Sequence, residues 1–220
     1  MSIRSLAAVA ALVLAIPANA VIVTTTAGAP DPGLAPGQTS LITFDAANVT
    51  GITETRVGNV ITAAGSIGGV RAAPAGTPTG GVYQSIGTGG SNTIDFSGWT
   101  GGKRLLSLSF YWGSVDSHNF VDFLNSKGNV FQTVGGNSLP AATGNQTLGL
   151  TNRRVFFNFL PSEDVQKIRL RASGNAFEYD TFGGTASAVI PEPASWMTMI
   201  IGFGLVGATL RRRARSAVAA

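Results

Sequence analysis

The sequence predicts an all-β fold, a jelly-roll-like antiparallel β-sandwich. Glycine is abundant, with 29 residues, and only 12% of the chain is charged, a composition that disfavours helices. Several short runs alternate apolar and polar residues between glycine-rich turns, as half-buried strands do. We therefore expect about eight to ten short strands between residues 40 and 189.

The first part of this region contains short candidate strands and one long loop. "SLITFDA" (40–46) and "NVITAAG" (59–65) are bounded by turn residues, which is typical of strands. Glycine, proline, threonine and serine dominate residues 68–90 and predict a long loop around a short central "VYQSI". Binding sites on β scaffolds are often built from such loops.

The clearest alternation begins at residue 105. The large apolar side chains that should share one face, toward the core, are Leu106, Leu108, Phe110 and Trp112. Tyr111 belongs to the opposite face and is predicted to be exposed. Residues 120–124 and 129–134 follow after short polar turns, so we predict a three-stranded antiparallel meander.

Three later runs complete the domain. "RVFFNFL" (154–160), "VQKIRLRAS" (165–173) and "AFEYDTF" (176–182) have strand character. The second run places Lys167, Arg169 and Arg171 on one face, opposite its apolar residues.

The first 20 residues have the pattern of a secretory signal peptide. Arg4 provides a positive start, an apolar run covers residues 6–16, and Ala18 and Ala20 form a small-x-small cleavage site. The apolar run of 11 residues is short for a membrane span, which needs about 20. We expect cleavage after Ala20 and export of the chain.

The exported chain has no cysteine, so its stability depends on packing and main-chain pairing rather than on disulfides. Proline-rich residues 21–39 are expected to form a flexible lead to the domain at 40–189. The sequence pI near 10 arises from the chain ends, because residues 21–190 carry equal numbers of basic and acidic side chains. Charge therefore gives no reason to expect nucleic-acid binding.

Residues 194–210 carry no charge and predict a single C-terminal transmembrane helix. Their length as a helix, about 25 Å, is near the lower limit for crossing the hydrocarbon core. Trp196 suits one membrane interface, and the basic cluster at 211–215 should remain in the cytoplasm. The alternative is a buried helix of the domain, but arginines directly after an uncharged run fit a stop-transfer signal better.

Pro191, Glu192 and Pro193 stand before this segment, and the two prolines keep the chain extended, as a protease substrate must be. The order of PEP tripeptide, tryptophan, apolar glycine-containing run and arginines resembles the PEP-CTERM sorting signal. The residues that carry this resemblance are Pro191, Glu192, Pro193, Trp196, Gly202, Gly204, Gly207, Arg211, Arg212 and Arg213.

The resemblance implies recognition by exosortase, a membrane-embedded cysteine protease, which removes the tail at residues 190–215. It implies transient anchoring in the inner membrane and then delivery to the cell surface or extracellular matrix of a Gram-negative bacterium that makes exopolysaccharide. The tail is the substrate in this reaction, so none of its residues is catalytic.

Catalytic and metal patterns are sparse in the domain. Ser114, Asp116 and the single histidine, His118, are spaced by two, which in a strand puts neighbours about 7 Å apart, whereas a triad needs about 3 Å. We therefore predict a non-enzymatic protein. Because the chain has no cysteine and a single histidine, the usual zinc and iron sites are excluded. The remaining cofactor is structural calcium, with candidate ligands Asp45, Asp116, Glu178 and Asp180; solvated or turn-capping carboxylates are the alternative.

The predicted glycan-binding residues lie around the turn after the Trp112 strand. Tyr111 is the candidate stacking platform, and the polar partners of sugar hydroxyls are Asp116, His118 and Asn119. "SFYWGSVDSHNFVDF" and the later "NAFEYDTF" resemble blocks shared by a subgroup of exosortase-dependent surface proteins. That resemblance supports a surface β-sandwich and transfers no active site.

These observations predict an exported surface or matrix protein that associates with exopolysaccharide through a non-catalytic β-sandwich. Its binding side would combine residues 111–119 with the loop at 68–90. One alternative is a structural coat protein that self-associates through exposed strand edges. A glycan-cleaving enzyme using Glu178 and Asp180 ranks last, because these residues lie on one strand face.

Overall fold

The computed structural model describes residues 21–101, 103–160, 162–187 and 199–204. Two antiparallel sheets make up the described domain, so the predicted all-β sandwich is confirmed. Its strands, in chain order, are β1 (Ile22–Ala27), β2 (Thr39–Ile42), β3 (Thr53–Val57), β4 (Val60–Ala64), β5 (Val82–Ile86), β6 (Ser91–Asp95), β7 (Leu105–Gly113), β8 (Asn119–Asn125), β9 (Val130–Gly135), β10 (Arg153–Asn158), β11 (Val165–Ala172) and β12 (Phe177–Ala186).

Sheet A has seven strands in the order β1-β10-β7-β12-β5-β4, with β2 also paired to β12. Sheet B has five strands in the order β3-β6-β11-β8-β9. Helix is confined in the described domain to one turn of α-helix, α1 (Ser97–Thr100), and two 3-10 turns at Gly136–Ser138 and Gly149–Thr151.

The core lies between the sheets and is rich in aromatic rings. Trp112 and Phe110 are fully buried, as the alternation of β7 predicts. The indole of Trp112 stacks on the Phe177 ring at a centroid distance of 4.6 Å, and the Phe110 and Phe182 rings lie 5.1 Å apart. Burying each such ring stabilises the fold by about 1.5–3 kcal/mol, so this cluster strengthens the sheet A side of the core.

The predicted meander over residues 105–134 is wrong. Strand β7 pairs with β10 and β12 in sheet A, whereas β8 and β9 belong to sheet B. The turn after β7 therefore crosses from one sheet to the other. Leu106 does not take its predicted core position, since 36% of its surface is exposed. The pairing with β12 shifts register between Ser107 and Leu105, so that Leu105 is buried and Leu106 faces outward.

Residues 21–39 are not the flexible lead that the proline content predicts. They begin with β1, which pairs with β10 along its whole length. Residues 28–38, here called the N-terminal strap, then cross the outer face of sheet A. Leu34 covers Gly183, where a Cβ would come within 2.3 Å of Leu34 Cδ2. Strands β3 and β6 were also missed by the sequence prediction.

The chain divides into two units, Met1–Ala186 and Ser187–Ala220. In the second unit, residues 199–204 are helical. Among the described residues, no helix has the length and apolar character needed to cross a membrane. The predicted signal peptide, the PEP tripeptide, the arginine cluster and most of the segment at 194–210 lie outside the described residues.

Candidate functional site

Loops at one end of the sandwich enclose a polar pocket of about 100 Å³, here called the loop pocket. Four chain segments line it: the β4–β5 loop, the turn after β7, the β9–β10 loop, and the end of the β11–β12 loop with the start of β12. The polar side chains among its lining residues are Arg71, Ser114, Asp116, Gln146, Asn175 and Glu178. The structure thus brings together Asp116 and Glu178, two of the sequence-predicted residues, although they are far apart in the chain.

Glu178 is held at the floor of the loop pocket by strand pairing. It lies opposite Gly113 of β7 and Ser85 of β5, and only 2% of its surface is exposed. Its Oε1 accepts a 2.9 Å hydrogen bond from the Ala72 N–H. Burial raises the pKa of Glu178 to about 7, and the nearby Asp116 carboxylate adds to the increase against that hydrogen bond.

Asp116 and Ser114 also line the loop pocket. Asp116 Oδ1 accepts a 2.7 Å hydrogen bond from the His118 N–H, while burial raises the pKa of Asp116 despite its contacts with His118. Ser114 has a left-handed φ of 48°, which is uncommon for a residue with a side chain. It is 4% exposed, and its Oγ has no hydrogen-bond partner in the described structure.

Asn152 links the loops around the pocket through side-chain hydrogen bonds. Its Oδ1 accepts hydrogen bonds from the N–H groups of Ala75, at 2.9 Å, and Ser114, at 3.2 Å. Its Nδ2 donates to the Leu148 carbonyl at 3.2 Å. One buried amide therefore hydrogen-bonds to three separate loops. It fixes the positions of these loops relative to one another.

The prediction that Tyr111 is an exposed platform is wrong. The side chain lies on the outer face of sheet A, as alternation requires, but Tyr111 is only 2% exposed. The N-terminal strap and the β4–β5 loop cover it, and its hydroxyl hydrogen donates toward the carbonyls of Gly28 and Ala75, each 2.8 Å away. Tyr111 therefore has no free ring face for a sugar.

The other predicted glycan contacts are divided between surface and interior. The His118 side chain is 57% exposed, with Nδ1 3.5 Å from Asp116 Oδ1. Asn119 is fully buried, and its Nδ2 donates a long, 3.4 Å hydrogen bond to the Ala176 carbonyl. Only Asp116 and His118 are therefore placed where they can meet a ligand from solvent.

The four calcium candidates do not form one cluster. Asp45 Oδ1 accepts a 2.8 Å hydrogen bond from the Val82 N–H, away from the loop-pocket lining. Asp180 is influenced by Asp45 and Asp31, and burial raises its pKa to about 6. Within the described ranges, no group of three or more His, Cys, Asp or Glu side chains has the arrangement of a metal site.

A second concave surface lies on the outer face of sheet A and was not predicted. This groove, here called the sheet groove, has a volume of about 440 Å³. Its floor comes from β1, β7, β10 and β12, and Ala35, Pro36 and Gln38 of the strap form a wall. In the described structure, its lining is uncharged and rich in hydroxyl and amide groups: Thr24, Thr25, Thr26, Gln38, Ser107, Asn158 and Thr185.

Hydrogen bonds order one side of the sheet groove. Gln38 Nε2 donates to Ser107 Oγ at 3.1 Å, and Ser109 Oγ donates to Gln38 Oε1 at 2.7 Å. Thr24 and Asn158 are exposed, and their side chains make no hydrogen bond to another described residue. The half-buried Phe156 also lines the groove, opposite Thr24 in the β1–β10 register and two residues before Asn158 on β10. The groove therefore combines an aromatic surface with free polar groups.

The alternation in "RVFFNFL" contained the signal for this groove. Val155 and Phe157 point into the core, so Phe156 and Asn158 must face outward. The serines of β7 lie beside them in the β7–β10 register. Alternation does not reveal which strands are neighbours, and the sequence prediction therefore missed the shared surface.

Comparison with known proteins identifies the C-terminal segment. A family profile described as the PEP-CTERM protein-sorting motif matches residues 189–213. A search of curated proteins returned no match. Among solved structures, the chain is similar to the family 11 carbohydrate-binding module of the cellulosomal cellulase Lic26A-Cel5E of Clostridium thermocellum, at 15% identity, over 72% of this chain and 100% of that one, with a TM-score of 0.23.

A TM-score this low supports no conclusion about the domain. The sorting motif is specific, because a PEP tripeptide, an apolar run and arginines follow one another in order. This motif is the recognition signal of exosortase and implies export, membrane-associated sorting and exosortase processing. The chain therefore carries a PEP-CTERM sorting motif at residues 189–213.

Proposed function

We propose that this protein is processed by exosortase and then acts at the cell surface or in the extracellular matrix, where its sandwich associates with exopolysaccharide without cleaving it. The sorting motif at 189–213 supports the route. The observation that supports glycan association is the sheet groove, which exposes an aromatic ring between uncharged hydroxyl and amide groups.

The groove chemistry suits a sugar chain. Phe156 offers an apolar surface for the C–H face of a sugar ring, while Thr24 and Asn158 have free groups for its hydroxyls. Such a mixture of an apolar floor and a few polar groups is typical of small-molecule and cofactor sites. The groove is open along the sheet, and the absence of charge from its described lining favours a neutral polysaccharide over an anionic one.

The test is retention of the full-length chain on immobilised neutral polysaccharides, with alginate as the anionic comparison. Phe156→Ala and Asn158→Ala should each weaken retention on the neutral matrix, the former by about tenfold, equivalent to about 1.4 kcal/mol. Phe120→Ala is the matched control, because this half-buried ring lies beneath the Arg171 guanidinium at 4.3 Å and does not line the groove. Equal retention of Phe156→Ala and wild type would exclude the groove as the glycan site.

Self-association is a second candidate, supported by the edge strands β3 and β4. Strand β3 forms one edge of sheet B and β4 one edge of sheet A, and they are joined by a short turn. Val57 is 60% exposed and Ile61 is also exposed on these edges. An exposed edge with apolar side chains is a template for pairing with another strand. Sedimentation of wild type and Val57→Lys over a range of concentrations tests this, because only wild type should assemble.

A further inference from the structure

The loop pocket contains two carboxylates, those of Asp116 and Glu178. Glu178 receives main-chain hydrogen bonds, including the one from Ala72. Among the described residues, Asp116 pairs with the exposed imidazole of His118, whose Nδ1 lies 3.5 Å from Asp116 Oδ1. Neither carboxylate forms a salt bridge with lysine or arginine within the described ranges. Buried carboxylates usually have such a partner or bind a metal.

An unpartnered hydroxyl adds a separate observation. Ser114 is more than nine-tenths buried, lines the same pocket, and its Oγ makes no hydrogen bond in the described part of the protein. Buried hydroxyls are almost always satisfied, so an orphan of this kind points to an absent partner. Its left-handed backbone conformation has an energetic cost.

We propose that the loop pocket binds a divalent metal ion, preferentially Ca²⁺, between the carboxylates of Asp116 and Glu178, with Ser114 as a third oxygen donor. The volume of about 100 Å³ accommodates an ion and a few waters, since a liquid water occupies about 30 Å³. Gln146, which also lines the pocket, is available to contribute an amide oxygen. This inference is independent of the glycan proposal.

The donor set favours calcium. Carboxylate, hydroxyl and amide oxygens are hard ligands, and Ca²⁺ accepts six to eight of them in irregular geometry, including waters. Zinc and copper sites are usually richer in imidazole or thiolate, which the described pocket lining lacks. Two carboxylates rather than three or four predict modest affinity, in the range of about 10⁻⁴–10⁻³ M found for extracellular calcium modules.

Arg71 makes the proposal easy to test. It lines the pocket, and its guanidinium interacts with the Tyr83 hydroxyl. In the described structure it makes no salt bridge with either carboxylate. Its positive charge repels a bound cation. Removal of that charge should therefore tighten cation binding, whereas it should weaken binding of an anion or of sugar hydroxyls that use the guanidinium as a donor.

The experiment is calorimetric titration of the purified full-length chain, freed of metal with a chelator, with CaCl₂ and with MgCl₂. Wild type should bind about one Ca²⁺ per chain, and Mg²⁺ more weakly. Asp116→Asn and Glu178→Gln should each weaken Ca²⁺ binding at least tenfold, and Arg71→Gln should tighten it severalfold. The controls Asp164→Asn and Lys127→Gln alter charges that do not line the pocket and should leave the affinity unchanged.

Thermal unfolding of every variant without metal establishes whether it is folded. If Glu178→Gln does not fold, Asp116→Asn alone tests the contribution of a carboxylate to Ca²⁺ binding. The proposal is overturned by the absence of saturable Ca²⁺ binding to wild type up to about 10 mM, well above the expected range. Wild-type affinity in both folded carboxylate variants overturns it as well. Weaker Ca²⁺ binding by Arg71→Gln also overturns it.

Discussion

The guanidinium of Arg154, completely buried under the N-terminal strap, forms a two-pronged ion pair with Asp31 of that strap. Arg154 Nε donates to Asp31 Oδ1 at 3.0 Å, and Nη2 donates to Oδ2. Nη1 donates to the Thr181 carbonyl at 2.8 Å. The pair joins the strap to β10 and β12 and positions the wall of the sheet groove.

Asp31→Ala should therefore destabilise the domain strongly, because it leaves a buried arginine without its counter-ion. Breaking a buried pair from one side costs about 3–5 kcal/mol, and chemical denaturation measures this loss in the free energy of unfolding. Asp164→Ala is the control, since Asp164 is exposed and accepts from Ser126 in a surface turn. A change below about 1 kcal/mol in Asp31→Ala, the size of a typical exposed pair, would show that the strap is not anchored by this contact.

Gly136 approaches the main chain of the loop pocket too closely for any larger residue. A Cβ there would lie 1.9 Å from the Asp116 carbonyl oxygen. Gly136→Ala should displace Asp116 and lower the free energy of unfolding by about 1–3 kcal/mol, as overpacking does. Gly149→Ala is the matched control, because a Cβ at that position meets nothing within 4 Å. Thermal unfolding of both variants makes the comparison, and equal melting temperatures would contradict the packing argument.

Asp180 predicts the direction of one pH effect. Burial, with repulsion from Asp45 and Asp31, raises its pKa in the folded protein to about 6, above the ordinary 3.8. Between these two values the folded state binds more protons than the unfolded state, so this group stabilises the fold increasingly as pH falls from about 7 to about 4. As pH falls across this window, the free energy of unfolding should therefore increase less in Asp180→Asn than in wild type. An identical slope in wild type and variant would contradict this contribution.

Processing predicts a defined mass for the native protein. Cleavage after Ala20 and near Pro191–Pro193 should yield a chain that begins at Val21 and ends close to Pro193, with or without a group added at the new C-terminus. Intact-mass measurement on protein from the cell surface and medium tests both ends. Glu192→Ala should retain the tail, because the PEP tripeptide is part of the matched motif. A wild-type species still ending at Ala220 would rule out processing by exosortase.

The sequence predicted the strand content well where alternation is local. Trp112 was placed in the core because it is in phase with Leu108 and Phe110, and all three are fully buried. Tyr111 was placed correctly on the opposite face, but its burial depends on the strap and on residue 75, which are distant in sequence. Alternation gives the face of a strand and does not show what covers that face.

The sites could not be predicted fully because the sequence did not show which strands are neighbours in the sheets. Asp116 and Glu178 were each named, yet only the β7–β12 pairing brings Glu178 beside Gly113 and the turn that carries Asp116. Phe156 was missed for the same reason, because its groove is shared by four strands. The meander failed because the polar turn at 114–118 was read as a hairpin rather than a crossing between sheets.

The position of β12 determines how the sandwich would carry a mechanical load. This strand is hydrogen-bonded to β7 and β5 inside sheet A, and it ends at Ala186, a few residues before the PEP tripeptide. If the processed protein is held at its new C-terminus, tension enters along the axis of β12. Such tension shears the β7–β12 hydrogen bonds together instead of breaking them one after another. The domain would then resist a pull applied at the end of β12, the strand that precedes the sorting motif.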